Sequence, residues 1–287
     1  MLRVIKRHVP LPVKKAIRRS LSLLRTELPY LEFHLTDHCN LNCKGCAHYS
    51  PMASDHYADL HQLEKDLQRL AQLFRNIRLI RLMGGEPLLH PDVDRFIRTT
   101  RSAFPKSRIR IVTNGILLPQ ASQAFWDACR ETNTSIDLTV YPPAQEHVDD
   151  YRALCEREGV FISTRDVESF VAHFNSKGDS QVDKAFRLCP IEYYCRFLQD
   201  GHLYPCAKPA LVHYFNESFD LKVTADEGID IYSPSLSGRE VLMRLNKPID
   251  TCRWCSYDLV PFAWETSNRV VEDWDAEAHR EKVGSSV

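Results

Sequence analysis

From residue 30 onward the apolar positions alternate between two periods. YLEFHLT (30–36), IRLIRLMGG (77–85), RIRIVTNG (108–115), SIDLTVYP (135–142) and VFISTRDV (160–167) are short runs rich in β-branched and apolar residues, the pattern of strands. Between them, 58–76, 91–104, 119–132 and 145–158 read as helices, with Pro91 suited to a first turn. Strand and helix in strict alternation predict an α/β fold with a parallel sheet and right-handed crossovers, open or curled into a full or partial barrel. Active sites in such folds gather at the carboxyl ends of the strands. Those ends carry a cysteine triplet, then Gly84-Gly85-Glu86-Pro87, then Thr113-Asn114-Gly115, then Tyr141-Pro142-Pro143, which should share one rim.

The segment before residue 30 has a different character. Arg3, Lys6, Arg7, Lys14, Lys15, Arg18, Arg19 and Arg25 face one acid, Glu27, so this stretch is strongly basic although the whole chain has a formal net charge of −1. After Val9-Pro10-Leu11-Pro12, the apolar Ile17, Leu21 and Leu24 recur at helical spacing with Lys14, Arg18 and Arg25 on the flanks. The pattern predicts a basic amphipathic helix, strapped across the main domain or attached to an anionic membrane surface through residues 1–25. No uninterrupted apolar run or small-residue cleavage site follows, so neither a signal peptide nor a membrane span is expected.

The chain has 287 residues and ten cysteines. Without a signal sequence, thiols point to a reducing compartment and to metal or redox work. The expected location is the cytoplasm, with peripheral contact at the inner membrane surface as an extension. No Ser-His-Asp order, phosphate loop or HExxH motif competes for a catalytic role. Nucleic-acid binding would rest on the basic amino terminus alone and is not expected.

Within HCNLNCKGCAHYSP (38–51), Cys39, Cys43 and Cys46 are spaced by three and then two residues, with no fourth cysteine nearby. A structural zinc site usually needs four ligands. Three thiolates on one loop suit three irons of a 4Fe-4S cube whose fourth iron stays open to an outside ligand. This spacing after a first strand, followed by GGEP at the end of the second, resembles the radical S-adenosylmethionine (radical SAM) family. The resemblance implies a partial (β/α)6 TIM-like barrel, a 4Fe-4S cluster on Cys39, Cys43 and Cys46, and S-adenosylmethionine (SAM) chelated to the open iron. It places SAM contacts at Gly84, Gly85, Glu86, Pro87, Thr113 and Asn114, with Glu86 as an acceptor for the methionine ammonium. The family commonly has an aromatic residue just before the third cysteine; here that residue is Gly45, and His48 or Tyr49 would have to serve the adenine.

A second group comprises Cys189, Cys195, Cys206, Cys252 and Cys255, and RFLQDGHLYPCA (196–207) reads as a hairpin turned at Asp200-Gly201. By count and spacing, Cys189, Cys206, Cys252 and Cys255 suit either a four-cysteine zinc site or a fully ligated 4Fe-4S cluster. The spacing resembles the twitch extension of radical SAM enzymes, a shortened SPASM domain, and this implies a second, auxiliary 4Fe-4S cluster. Cys195 is a candidate hydrogen-atom donor, a packed residue or an alternative ligand. Cys129 and Cys155 fit the apolar sides of helices as small buried hydrophobes.

The domain expectation is a basic segment at 1–29, a barrel at 30–180, a small cluster-binding extension with its β-hairpin at 181–260, and a polar tail at 261–287. The resemblance implies cleavage of SAM to a 5'-deoxyadenosyl radical, fed by a one-electron reductant such as flavodoxin or ferredoxin. The expected substrate is a small polyol, sugar or nucleotide-sugar, and the outcome oxidation, as in a dehydrogenase, or epimerisation. Radical modification of a ribosomally made peptide and a non-catalytic iron-sulfur redox scaffold are the alternatives.

Overall fold

The computed structural model describes residues 11–189 and 195–284. Arg3, Lys6 and Arg7, and Tyr193 and Tyr194 beside Cys195, lie outside the described residues. In chain order the first half comprises α1 (Leu11–Arg25), β1 (Glu27–Leu28), β2 (Leu31–Thr36), α2 (Leu60–Leu73), β3 (Asn76–Ile77), β4 (Leu79–Gly84), α3 (Val93–Ala103), β5 (Arg108–Thr113), α4 (Gln123–Glu131), β6 (Ser135–Val140), α5 (Val148–Arg157) and β7 (Ile162–Asp166). The second half adds β8 (Ser169–Phe174), α6 (Val182–Leu188), β9 (Phe197–Gln199), β10 (His202–Tyr204), α7 (Lys208–Phe219), β11 (Ile229–Asp230), α8 (Gly238–Leu245), β12 (Cys255–Ala263) and α9 (Ala276–Gly284).

Strands β2, β4, β5, β6 and β7 pair in parallel in chain order, each joined to the next through a helix. The sheet runs on from β2 through β9 and β10 to β11 and does not close, which makes it a partial barrel. Period-two alternation sorts the side chains. Leu31, Phe33 and Leu35 of β2, Ile80 and Leu82 of β4, Ile109 and Ile111 of β5, and Ile136 and Leu138 of β6 are buried in the core with α2, α3 and α4. Each such burial is worth about 1.5–3 kcal/mol. The intervening positions, including Glu32, His34, Arg81, Met83, Val112, Asp137 and Thr139, belong to the opposite face.

Helix termini follow from local chemistry. Asp59 caps α2 by accepting from the His61 and Gln62 amides at 2.7 and 3.3 Å, and Ser122 caps α4 by accepting from the Phe125 amide at 3.2 Å. The hairpin forms as expected at Asp200-Gly201, both with positive φ, 46° and 76°. It does not stand in a separate extension, however. Strand β9 lies parallel to β2 through the Glu32–Phe197 pairing, and buried Asp66 of α2 accepts from the Gly201 amide at 2.9 Å.

Two other expectations need correction. Within the expected polar tail at 261–287, residues 261–284 are folded: β12 pairs antiparallel with β8, and the chain beyond it returns over the cysteine loop, with Asp273, Trp274 and His279 buried. Helix α1 does strap onto the domain, against α8, but not through Ile17, Leu21 and Leu24, which are exposed. Buried Ser22, Leu23 at the core edge and the Arg19 guanidinium donating to the Asn246 carbonyl make the attachment. Among the described residues, no helix is long and apolar enough to cross a membrane.

Candidate active site and cluster sites

The loop after β2 carries Cys39, Cys43 and Cys46 to the carboxyl end of the sheet. All three line a cavity of 270 Å³ together with Gly84, Gly85, Thr113, Asn114 and Tyr141. The four strand ends singled out by the sequence therefore do share one rim. The loop is tied down by chain more than two hundred residues away. Asn42 and Ser267 exchange backbone and side-chain bonds at 2.8 and 2.9 Å, Lys44 pairs with Glu265 at 2.6 Å, and the Trp264 indole donates to Cys43 Sγ at 3.2 Å. The Trp274 indole donates to the Cys46 carbonyl at 2.8 Å.

Gly84 and Gly85 have a packing reason to lack side chains. A Cβ on Gly84 would sit 2.1 Å from the Thr36 carbonyl oxygen, and one on Gly85 would sit 2.1 Å from that of His38. The ends of β2 and β4 thus approach backbone to backbone, with the Gly85 amide on Thr36 at 2.9 Å and the Glu86 amide on His38 at 3.1 Å. Glu86 and Pro87 lie behind this wall and do not line the cavity. The fully buried Glu86 carboxylate accepts from Thr113 Oγ1 at 2.7 Å, the Asn114 amide at 2.9 Å and the Leu88 amide at 3.1 Å. It is a brace between strand ends. Burial pushes its pKa up to about 7, partly offset by these donors.

Gly45 has φ 67°, and a Cβ there would meet the Phe262 ring at 2.7 Å, so this position excludes the aromatic residue that the family pattern expects. The rings on the cavity wall are His48, Tyr141 and Phe170; Tyr49 is instead packed in a second core cluster. His48 is held from behind: its Nδ1 lies 2.8 Å from His34 Nε2, and His34 Nδ1 lies 2.6 Å from Asp37. Asp37 also accepts from Tyr214 at 2.8 Å and lies 3.0 Å from His56. Burial raises the Asp37 carboxyl, but the hydrogen bonds with His34 and Tyr214 and the neighbouring His56 imidazole outweigh it and hold the group well below the usual range. Burial pushes His48 down to about 3.

Two arginines on the cavity wall went unnoticed in the sequence. Arg81 of β4 reaches Asp137 at 2.6 Å and covers the Tyr30 ring at 5.7 Å; Arg110 shares Asp137 at 3.3 Å. Arg165 of β7 also lines the cavity, exposed and without an acid partner among the described residues. The buried Arg81 Nε and Ser50 Oγ have no hydrogen-bond partner among the described residues. Orphaned polar atoms beside three thiols fit a polar ligand held at a metal cluster.

Cys189 at the end of α6, Cys206 before α7, Cys252, and Cys255 at the start of β12 line a second cavity of 330 Å³. Its wall includes Ala47 and Phe170, which also line the first cavity. The Lys208 ammonium, itself buried, donates to Cys255 Sγ at 3.2 Å. Burial pushes the Cys43 and Cys252 thiols up to about 11, so a bound cation would be needed to hold them as thiolates. Among the described residues, no three His, Cys, Asp or Glu side chains converge to hold a single ion. Four sulfurs spread around one cavity can fully ligate a 4Fe-4S cube.

Cys195 lines neither cavity. Its thiol donates to Glu32 at 3.1 Å, beside the Tyr30 hydroxyl that also donates to Glu32. Cys129 and Cys155 are buried in the core, as their helix positions imply.

The family model of the radical SAM superfamily matches residues 33–166. The chain is 34% identical over 115 residues to a GTP 3',8-cyclase of Microcystis aeruginosa, which is 39% of this chain and 35% of that protein. It is 39% identical over 117 residues to molybdenum cofactor biosynthesis protein 1 of Bos taurus, again 39% of this chain but 18% of the relative. The chain thus spans about a third or less of the length of these relatives. Among solved structures, BtrN in complex with AdoMet and 2-DOIA aligns over 79% of this chain and 92% of its own at 18% identity and a TM-score of 0.49. SuiB of Streptococcus suis bound to S-adenosylmethionine aligns over 53% and 45% at 14% identity and a TM-score of 0.35.

Proposed function

Because residues 33–166 form a radical SAM domain, we propose that the chain cleaves SAM and removes a hydrogen atom from the sugar of a nucleotide-sugar, leaving a ketone. Cys39, Cys43 and Cys46 would hold the 4Fe-4S cluster that binds SAM, and Cys189, Cys206, Cys252 and Cys255 an auxiliary 4Fe-4S cluster. When bound and fed by a one-electron reductant such as flavodoxin or ferredoxin, these groups supply a 5'-deoxyadenosyl radical that takes the hydrogen atom and an acceptor for the electron that remains. Gly84, Gly85, Thr113 and Asn114, which line the cavity, would contact SAM, and Glu86 fixes the last two from behind.

The observation that supports the oxidative reading is the shared wall: Ala47 and Phe170 border both cysteine-lined cavities, so a substrate bound in one would lie a side chain from a cluster held in the other. The choice of a phosphorylated sugar over a neutral polyol rests on Arg81 and Arg165, since planar guanidinium groups bind phosphate through paired donors. The relatives named for a reaction of GTP support a nucleotide-bearing substrate. The alcohol carbon would give up its hydrogen atom and its hydroxyl proton would pass to solvent, while the second electron would leave to the acceptor that Cys189, Cys206, Cys252 and Cys255 would hold, which balances the two-electron oxidation to the ketone.

Iron-loaded protein incubated anaerobically with SAM, reductant and a nucleotide-sugar in deuterated water should yield 5'-deoxyadenosine and a product two hydrogens lighter, without solvent deuterium on carbon. A product of unchanged composition with one deuterium on carbon would replace oxidation by epimerisation. No 5'-deoxyadenosine, with or without substrate, would leave an iron-sulfur scaffold.

A further inference from the structure

Helix α1 takes no part in either cysteine-lined cavity, and its face is turned in an unexpected direction. Val13 is 46% exposed, Ile17 50%, Leu21 39% and Leu24 82%, whereas Ser22 is 3% exposed. At about 100° per residue, Val13, Ile17 and Leu24 fall within roughly 40° of one another, with Leu21 next to them. A polar residue is buried against the domain while four large apolar residues form a stripe along the outside.

The charge on this helix has one sign. Leu11–Arg25 contains Lys14, Lys15, Arg18, Arg19 and Arg25 and no acid. Positions 14, 18 and 25 fall along one flank of the stripe, and Arg25 is exposed. We propose that the outer face of α1 docks on an anionic lipid bilayer, lying flat with Val13, Ile17, Leu21 and Leu24 among the acyl chains and the basic flank at the headgroups. The occupant follows from charge complementarity. A second copy of the chain would set two wholly basic helices face to face, whereas anionic headgroups supply the opposite charge beside an apolar layer.

The position of the helix suits this. It leads into β1, which pairs with β3 just ahead of β4, so α1 lies at the amino-terminal ends of the barrel strands. The cysteine rim is at the opposite, carboxyl-terminal ends and would stay open to the aqueous side.

The full iron-loaded chain is floated with vesicles of phosphatidylglycerol and phosphatidylcholine in a one-to-three ratio, and with pure phosphatidylcholine vesicles. Binding should appear only with the anionic vesicles and weaken as salt rises from about 0.05 to about 0.5 M, since screening shortens the reach of the basic flank. Ile17→Asp with Leu24→Asp should weaken it by roughly tenfold or more while leaving the melting temperature and SAM cleavage unchanged, because both side chains are exposed. Equal partition onto both vesicle types, or none, would overturn the proposal. So would light scattering that shows a dimer lost in the double variant without vesicle binding in the parent chain, which assigns the stripe to a second copy.

Discussion

Gly85→Ala tests how the cysteine loop is held. The added Cβ would lie 2.1 Å from the His38 carbonyl oxygen and 2.3 Å from its carbon, both backbone atoms next to Cys39. A carbon and an oxygen without a bond between them need roughly 3.2 Å, so one strand end must move by about 1 Å, a displacement that overpacked cores meet with strain of about 1–3 kcal/mol. The movement also strains the Glu86 amide bond to His38, 3.1 Å in the native chain; a buried bond lost in this way costs about 1–3 kcal/mol. The sum, about 2–6 kcal/mol, corresponds to a melting temperature lower by roughly 3–10 °C in a chain of this size. The displaced residue neighbours the first cysteine of the triplet, so cluster loading should suffer with stability. Differential scanning fluorimetry on the anaerobic protein and iron analysis after reconstitution give the two readouts. An unchanged melting temperature with full iron content would show that the close approach of Gly85 to His38 does not position the loop.

Glu86→Gln should remove a pH dependence. The wild-type carboxyl rises from 4.5 to about 7 on folding, so its stabilising contribution is complete below about 4.5 and is lost as pH rises through about 7, a swing of about 3 kcal/mol. Unfolding of the SAM-free protein at about pH 5 and pH 8 should show the stability gap between wild type and variant closing by that order, and a constant gap would contradict the buried-brace role. Arg165→Gln should raise KM for a phosphorylated substrate by roughly tenfold with little change in kcat, and an unaffected KM would remove Arg165 from substrate binding.

Much of the barrel was legible because burial on one sheet face leaves a period of two. Leu31, Phe33 and Leu35 announce β2, and the spans of β2, β4, β5, β6 and β7 lie within the runs read from the sequence. The rim was legible for the same reason, since parallel strands deliver their carboxyl ends to one side. The amphipathic period of α1 was also clear, but period alone does not say which face finds a partner; here Ser22 and Leu23 meet the domain and the apolar stripe does not. Helix α7 is apolar on much of its circumference, with Leu211, Val212, Tyr214 and Phe215 all buried, and so gave no clean periodic signal. The β8–β12 pairing joins residues far apart in sequence, and no local pattern foretells that Trp264 and Trp274 will hold the cysteine loop. Arg81 and Arg165 look like ordinary strand charges until the sheet curls and turns their side into a cavity. Glu86 was legible as important but not as a brace, because its role depends on donors from the next strand end.

The central claim is that two separate sets of thiols hold two iron-sulfur clusters, one open and one fully ligated. Iron and zinc counted per chain in anaerobically reconstituted protein test it most directly, alongside variants with alanine at Cys39, Cys43 and Cys46 or at Cys252 and Cys255. Two clusters predict about eight irons and no stoichiometric zinc in the wild type, with each set of substitutions removing about four irons. About four irons with one tightly held zinc, lost on substitution of Cys252 and Cys255, would make the second site structural and contradict the oxidative account.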